Sequence, residues 1–201
     1  MRFIKTLFIL FALLLNVQLL KAQGTSQFQV NYTPSLPLGD VADYTGDFSF
    51  RGINIAYEYH VSEYLGLGIT TGINTYYEDI QGVENVKVNI DGKIVTLSGK
   101  RYNYTNSVPI LATANYYLSP EGQLRPYVGL GIGGYYVMKW TEIGQYQVRD
   151  NGFQFGLAPR VGVLQPLAYG LDLHLAAQYN AGFGEDPFSS VDFMVGFAWK
   201  F

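Results

Sequence analysis

The sequence predicts an all-β fold: an eight-stranded antiparallel up-and-down transmembrane β-barrel, with short turns at one end and long loops at the other. Three observations predict it. Hydropathy alternates with a period of two in eight separate segments, large apolar residues on one face and small or polar ones on the other. The connections between segments are alternately tight and long. Of 201 residues, 16 % are aromatic, 14 % are charged and 23 are glycine. Ordinary soluble domains carry roughly 25 % charge. A disordered chain would be charge-rich and aromatic-poor, so that class is excluded.

Residues 1–22 read as a cleaved secretory signal peptide. Arg2 and Lys5 form a basic start, Leu7 to Leu15 is an uninterrupted apolar run, and Ala22 offers a small residue before a cut at Gln23. The run is shorter than the ~20 residues a spanning helix needs, and Asn16 and Gln18 interrupt its end. Residues 23–201 are then the barrel domain. Removing Arg2, Lys5 and Lys21 leaves 10 basic residues against 16 acidic ones. That balance excludes a basic footprint for nucleic acid. With no cysteine there is no disulfide, thiolate nucleophile or lipoprotein anchor.

The segments follow in order. At 27–33, Phe28, Val30 and Tyr32 alternate with glutamine and asparagine. At 52–61, Ile53, Ile55, Tyr57, Tyr59 and Val61 oppose Gly52, Asn54, Ala56, Glu58 and His60. At 64–77, Leu65, Leu67, Ile69, Thr71 and Ile73 oppose Gly66, Gly68, Thr70, Gly72 and Asn74. At 107–118, Thr113 and Asn115 mark the polar face. At 127–138, Val128, Leu130, Ile132 and Tyr136 oppose Gly129, Gly131, Gly133 and Tyr135. At 153–163, Phe153, Phe155, Leu157, Val161 and Val163 oppose Gln154, Gly156, Ala158, Arg160 and Gly162. At 171–180, Leu171, Leu173, Leu175, Ala177 and Tyr179 oppose Asp172, His174, Ala176, Gln178 and Asn180. At 191–201, Val191, Phe193, Val195, Phe197, Trp199 and Phe201 oppose Asp192, Met194, Gly196, Ala198 and Lys200.

Tight turns are expected at 61–63, 119–122 and 166–170, and long connections at 34–47, 79–105, 139–151 and 181–190. Outer-membrane barrels show this asymmetry, with short periplasmic turns and long external loops, which puts both termini on the periplasmic side. Pro109 and Pro159 fall within strands, so bulges or a later strand start are expected there. Val86–Ile90 and Lys93–Leu97 flank Asp91-Gly92, which predicts a hairpin or an extended β-ribbon.

Eight antiparallel strands also describe water-soluble lipocalin-like barrels, so the inward face decides the class. An eight-stranded barrel has room for little more than its own side chains. The glycine-rich row is the one that fits inside, and the bulky row then forms an outer apolar band that is stable in lipid. Aromatics support this arrangement. Tyr32, Tyr77, Tyr136, Trp140, Phe153, Phe155 and Tyr179 fall near external ends, and Phe28, Tyr57, Tyr59, Tyr116, Trp199 and Phe201 near periplasmic ends. Two such girdles are expected at the two membrane interfaces.

The mature chain resembles the small eight-stranded outer-membrane β-barrel proteins of the opacity-protein/OmpX-like group. The resemblance rests on strand number, loop asymmetry and the ending Val195-Gly196-Phe197-Ala198-Trp199-Lys200-Phe201. It implies the outer membrane of a Gram-negative bacterium. Phe197, Trp199 and Phe201 are similar to the terminal signal read by the barrel-assembly machinery, which would be a partner during insertion, with outer-membrane lipid around the finished, monomeric barrel. The group includes adhesins, protective surface proteins, narrow channels and a few lipid-modifying enzymes, so it does not imply one function.

By parity, Glu58, Arg160, Asp172, His174, Asp192 and Lys200 form a polar cluster in the lumen. Counting from the periplasmic ends sets Arg160 and His174 at similar heights, Glu58 and Asp172 a layer lower, Lys200 at the rim and Asp192 higher. Opposite charges there are expected to pair. A narrow polar pore is the alternative reading. No metal site is expected, since His60 and His174 are the only histidines. Gly129 to Gly134 lacks the strand-to-helix context of a nucleotide loop. Lipid A deacylases of similar barrel size use His and Ser on the lipid face, whereas His174 points inward and has no serine beside it. Asp40, Asp43, Asp47, Glu185 and Asp186 read as solvated loop acids, and Tyr102, Tyr104 and Tyr146 as candidate contacts for an external partner. The expectation is therefore a non-enzymatic protein without cofactors, acting structurally or through its external loops at the cell surface. A narrow porin-like channel or a lipid-modifying enzyme are the alternatives.

Overall fold

The structure, a computed structural model, describes residues 24–201 except 91, 92, 144, 145 and 185, and for 81–98 and 146 the backbone alone. The expected leader, the Asp91-Gly92 turn, Glu185 and the Tyr146 side chain lie outside the described residues. The elements are β1 (Ser26–Tyr32), β2 (Ser35–Leu38), α1 (Asp40–Tyr44), β3 (Gly52–Ser62), β4 (Leu65–Ile90), β5 (Lys93–Tyr117), β6 (Arg125–Ile143), β7 (Tyr146–Ala168), β8 (Leu171–Phe183) and β9 (Ser189–Lys200). Every pairing is antiparallel, neighbours in sequence pair from β3 to β9, and β1 pairs with both β3 and β9 to close the ring.

The ring has eight staves although nine strands are named. β1 and β2 form one stave against β9. Tyr32↔Val195 and Ser35↔Asp192 keep the same register across Pro34, whose missing N–H interrupts the strand. Residues 26 and 201 lie together at the end with the short turns, where Ser26 and Phe201 exchange backbone hydrogen bonds of 3.0 and 2.9 Å.

The two prolines behave differently from expectation. Pro109 pairs with Tyr135, and Pro159 with Leu130, with no register shift. On their other flanks the pairing resumes in the same register, Thr71↔Ile110 with Asn74↔Ser107 and Leu157↔Ala181 with Arg160↔Gln178. A proline loses a single donor, so it weakens the ladder to one neighbour and leaves the other intact. The register shifts lie instead at His60/Ser62, Ile80/Glu84 and Pro166/Ala168.

The connection at 79–105 is a β-ribbon, with pairs from Glu84↔Gly99 to Ile90↔Lys93. The one at 139–151, expected as a loop, is a second ribbon, with Lys139↔Asp150 and Glu142↔Gln147 in register. A ribbon standing in water needs no apolar face, so hydropathy does not mark it. The 34–47 connection contains β2 and α1.

Side chains alternate about the wall as the barrel reading requires. On β9, Phe193, Val195, Phe197 and Trp199 are 42–47 % exposed, whereas Asp192, Met194 and Ala198 are at most 4 %. Ile69 and Ile132 likewise face outward, at 65 % and 45 %. An apolar belt this continuous is stable only in hydrocarbon, where the closed ring satisfies each strand's backbone. The core is the lumen. Val41, Tyr76, Leu111, Tyr135, Val137, Ala158 and Phe188 pack at its loop end. Tyr117, Tyr127, Leu164 and Ala198 pack at its turn end.

Candidate functional site

Between those two apolar clusters lies a buried polar layer. Its residues come from the inward row of every stave, which period two guarantees once one residue of each strand is fixed. Glu58 accepts hydrogen bonds from Asn115 Nδ2 and, at 2.5 Å, from the Tyr117 hydroxyl, and His60 Nε2 lies 3.4 Å from its carboxylate. His174 is held at both ring nitrogens, Nδ1 at 2.7 Å from Asn31 Oδ1 and Nε2 at 2.7 Å from the Tyr127 hydroxyl. Asp192 accepts from Ser35 Oγ at 2.5 Å, Asn74 Nδ2 at 2.9 Å and Ser190 Oγ at 3.1 Å. Lys200 Nζ lies 2.7 Å from Asp172 Oδ2 at the turn end.

All six residues of the expected lumen cluster point inward, but they do not form one charge network. Lys200 and Asp172 pair. Asp192 is satisfied by hydroxyls and an amide. Arg160 is 6 % exposed, and its Nε and Nη2 have no hydrogen-bond partner among the described residues. The expected heights also need correction. Arg160 is level in register with Gln178, and Gln178 with Asp192, whereas His174 is level with Leu164 and Gly196. The turn that pairs Ala168 with Leu171, and the shift beside it, set this register.

Gly129 and Gly131 make room for Arg160. A Cβ on Gly129 would lie 3.0 Å from Arg160 Cγ, and one on Gly131 would lie 3.3 Å from Nη2. Sequence reasoning missed Phe188, Val41 and Tyr76, which close the loop end. Tyr76 was legible by parity, inward beside Asn74. Phe188 carries no periodic signal, because Gln154 reaches from β7 to fix its loop, accepting from Phe188 N at 2.8 Å and donating to Asp186 O at 2.5 Å.

Outside the loop end, the β6–β7 ribbon, α1 and the loop before β9 border an open cavity of about 500 Å³ whose lining includes Asp40, Asp43, Tyr44, Lys139, Arg149 and Asp186. Tyr44 donates to or accepts from Thr141 Oγ1 at 2.6 Å, and burial pushes its phenol up from the ordinary value. On the ribbon, Lys100 meets Asp79 at 2.7 Å, and this hydrogen bond holds its ammonium above the usual lysine range. The candidate contacts Tyr102 and Tyr104 lie in an outward aromatic row. Tyr77 stacks on Tyr102 at 6.2 Å and lies against Tyr104 at 5.0 Å, and Tyr104 stacks on Trp140 at 5.0 Å. Among the described residues no group of three or more acidic or imidazole side chains is placed to hold a metal ion.

Comparison with known proteins agrees with this architecture. A family model described as the outer membrane protein beta-barrel domain matches residues 7–201. Among solved structures, the fold is similar to the attachment invasion locus protein Ail of Yersinia pestis in complex with the heparin analogue sucrose octasulfate. That match has 14 % identity, covers 89 % of this chain and 99 % of that one, and has a TM-score of 0.56. Neisserial surface protein A matches at 14 % identity over 89 % and 97 % of the two chains, with a TM-score of 0.54. OprG of Pseudomonas aeruginosa matches at 15 % identity over 89 % and 96 %, with a TM-score of 0.53. No curated protein matches the chain.

Proposed function

Because the chain belongs to the outer membrane protein beta-barrel domain family, we propose that it is a non-enzymatic, monomeric outer-membrane protein that acts at the cell surface through its external loops, the β4–β5 ribbon above all. The observation that carries this reading is the length of the hairpin strands over a packed lumen. β4 and β5 have 26 and 25 residues. A tilted strand needs about 9–11 to cross the bilayer. The excess stands outside the membrane as ordered structure on a rigid base, which is where binding residues commonly sit.

In this reading residues 1–22 are a removed leader, both termini are periplasmic in a Gram-negative cell, and Phe197, Trp199 and Phe201 form the assembly signal. Phe201 is 74 % exposed at the end of β9. Deleting Phe201 is expected to lower the amount of folded, heat-modifiable barrel in membranes at least severalfold, with unchanged export. An undiminished yield removes the assignment. A lipid-modifying enzyme is disfavoured, because both nitrogens of His174 are engaged inside the lumen. Ail was solved with a sulfated polyanion. Residues 78–105 of this chain carry four acidic and four basic residues, so they supply no net charge toward such a ligand.

The test excises residues 82–99 and rejoins the ribbon with a two-residue turn. The barrel is expected to fold and insert, while attachment of expressing cells to protein- and glycan-coated surfaces falls. Equal attachment with and without the ribbon overturns the proposal. The unpartnered donors of Arg160 and the unpartnered Gln178 Oε1 in the middle of the lumen favour a narrow polar channel as second reading. A silent reconstituted barrel in planar bilayers removes it. Steady conductance that survives ribbon excision favours it instead.

A further inference from the structure

The loop between α1 and β3 builds a groove on the outer wall at the upper edge of the apolar belt. Asp47, Phe48, Ser49, Phe50, Arg51, Thr75 and Tyr77 enclose about 340 Å³. The loop is pinned at several points. Ser49 pairs its backbone with Ser35 at 2.8 Å, Ser49 Oγ donates to Thr75 O at 2.5 Å, the Tyr32 hydroxyl donates to Phe50 O at 2.7 Å, and Gly46 N donates to Glu78 Oε2 at 2.8 Å. The groove is therefore preformed.

Its two walls differ. Phe48 and Phe50 are 40 % and 68 % exposed, their rings lie 4.8 Å apart, and Phe48 lies 6.4 Å from the lipid-facing Phe193. This wall continues the apolar belt. The opposite wall carries Arg51, whose guanidinium sits 5.6 Å above the Tyr77 ring. Tyr77 is four residues beyond the belt residue Ile73 on the same outward row, about 9 Å higher for a strand tilted near 45°. That is headgroup depth. The phenol of Tyr77 supplies a hydroxyl donor there. Asp47 supplies the single carboxylate of the lining.

An apolar wall joined to the membrane, one cation beside a hydroxyl donor at headgroup depth, and one carboxylate in the same lining together match one ligand chemistry. We propose that this groove seats a lipid with a phosphoethanolamine headgroup. Its phosphate meets Arg51 and Tyr77, its primary ammonium meets Asp47, and an acyl chain lies along Phe48, Phe50 and Phe193. An anionic lipid without an amine leaves Asp47 facing phosphate. A quaternary amine offers Asp47 no N–H to accept. The inference needs only the outer-membrane placement and stands apart from the ribbon's role.

The experiment uses the full chain in detergent, incubated with phosphatidylethanolamine, phosphatidylglycerol or phosphatidylcholine, and reads retained lipid by native mass spectrometry. Phosphatidylethanolamine is expected to be retained several times more than either other lipid. Arg51→Gln is expected to lower that retention about fivefold, the size of one partly exposed ionic contact. Asp47→Asn is expected to bring phosphatidylethanolamine down to the phosphatidylglycerol level while leaving phosphatidylglycerol unchanged or raised. Heat-modifiable migration confirms that each variant is folded. Equal retention of the three lipids by the native chain, or no loss in folded Arg51→Gln, overturns the assignment.

Discussion

Replacing Ile132 by arginine should destabilise the barrel by about 2–4 kcal/mol, whereas the same change at Tyr136 should cost about 1 kcal/mol or less. The two residues face the same way on β6, at 45 % and 41 % exposure. They differ in depth. Ile132 pairs with Ala112 and Leu157 in the middle of the lipid wall, and Tyr136 pairs with Val108 and Phe153 toward its loop end. In hydrocarbon the guanidinium at 132 has no water to donate to and must snorkel the length of two turns of pleat, while at 136 it reaches the headgroups directly. Urea unfolding from phospholipid vesicles, followed by the fluorescence of Trp140 and Trp199, measures both. In water the two positions would be equivalent surface sites, and both substitutions would be nearly neutral. Equal, small effects would therefore remove the lipid-facing assignment of the bulky row, and with it the outer-wall groove.

Much of this fold is written in the sequence because a membrane barrel has one rule per residue, in or out. Period two, with Gly129, Gly131 and Gly133 opposite Val128, Leu130 and Ile132, fixes the inward row without reference to partners. Residues such as Glu58, Asp192 and His174 were therefore placeable as inward side chains. What they touch was not placeable. Partners across the lumen depend on register, and register is set by turn length and by irregularities such as those beside His60 and Pro166. A shift of one or two residues exchanges one neighbour for another without altering the alternation. This is why Arg160 stands beside Gln178 and not level with His174. The plug at the loop end was hidden for another reason. Val41 lies on a five-residue helix and Phe188 in an irregular loop, where no periodic pattern announces burial. The outer groove combines residues of one such loop with β4, and only the ring closure that sets Phe48 against Phe193 makes it visible.

Asp192→Leu is expected to cost about 3 kcal/mol or more, and Asp192→Asn about 1 kcal/mol. The carboxylate joins three staves at the loop end of the lumen. Ser35 belongs to β2, Asn74 to β4 and Ser190 to β9, and all three donate to it. Leucine fits the volume but leaves these buried donors without their acceptor. Each orphaned donor carries a desolvation penalty of roughly 1–3 kcal/mol. Part of this is recovered, because Ser35 can turn its hydroxyl to the Tyr76 oxygen 2.7 Å away, whereas Ser190 only accepts from Asn180 at 2.9 Å and loses the acceptor of its own hydrogen. Asparagine keeps one acceptor oxygen for the serines and turns the other position into a donor. Asn74 can answer by rotating its amide, since its own Oδ1 has no partner in the native protein. The difference between the two variants thus isolates the acceptor, not the volume. Ser35 and Asp192 are also opposite one another in the seam between the first and last staves. Loss of the acceptor should loosen that seam before the rest of the wall. Amide exchange at β2 and at the loop-end residues of β9 should then accelerate more than at β6. Uniform acceleration across all staves would show that Asp192 contributes only to global stability and does not clasp the closure.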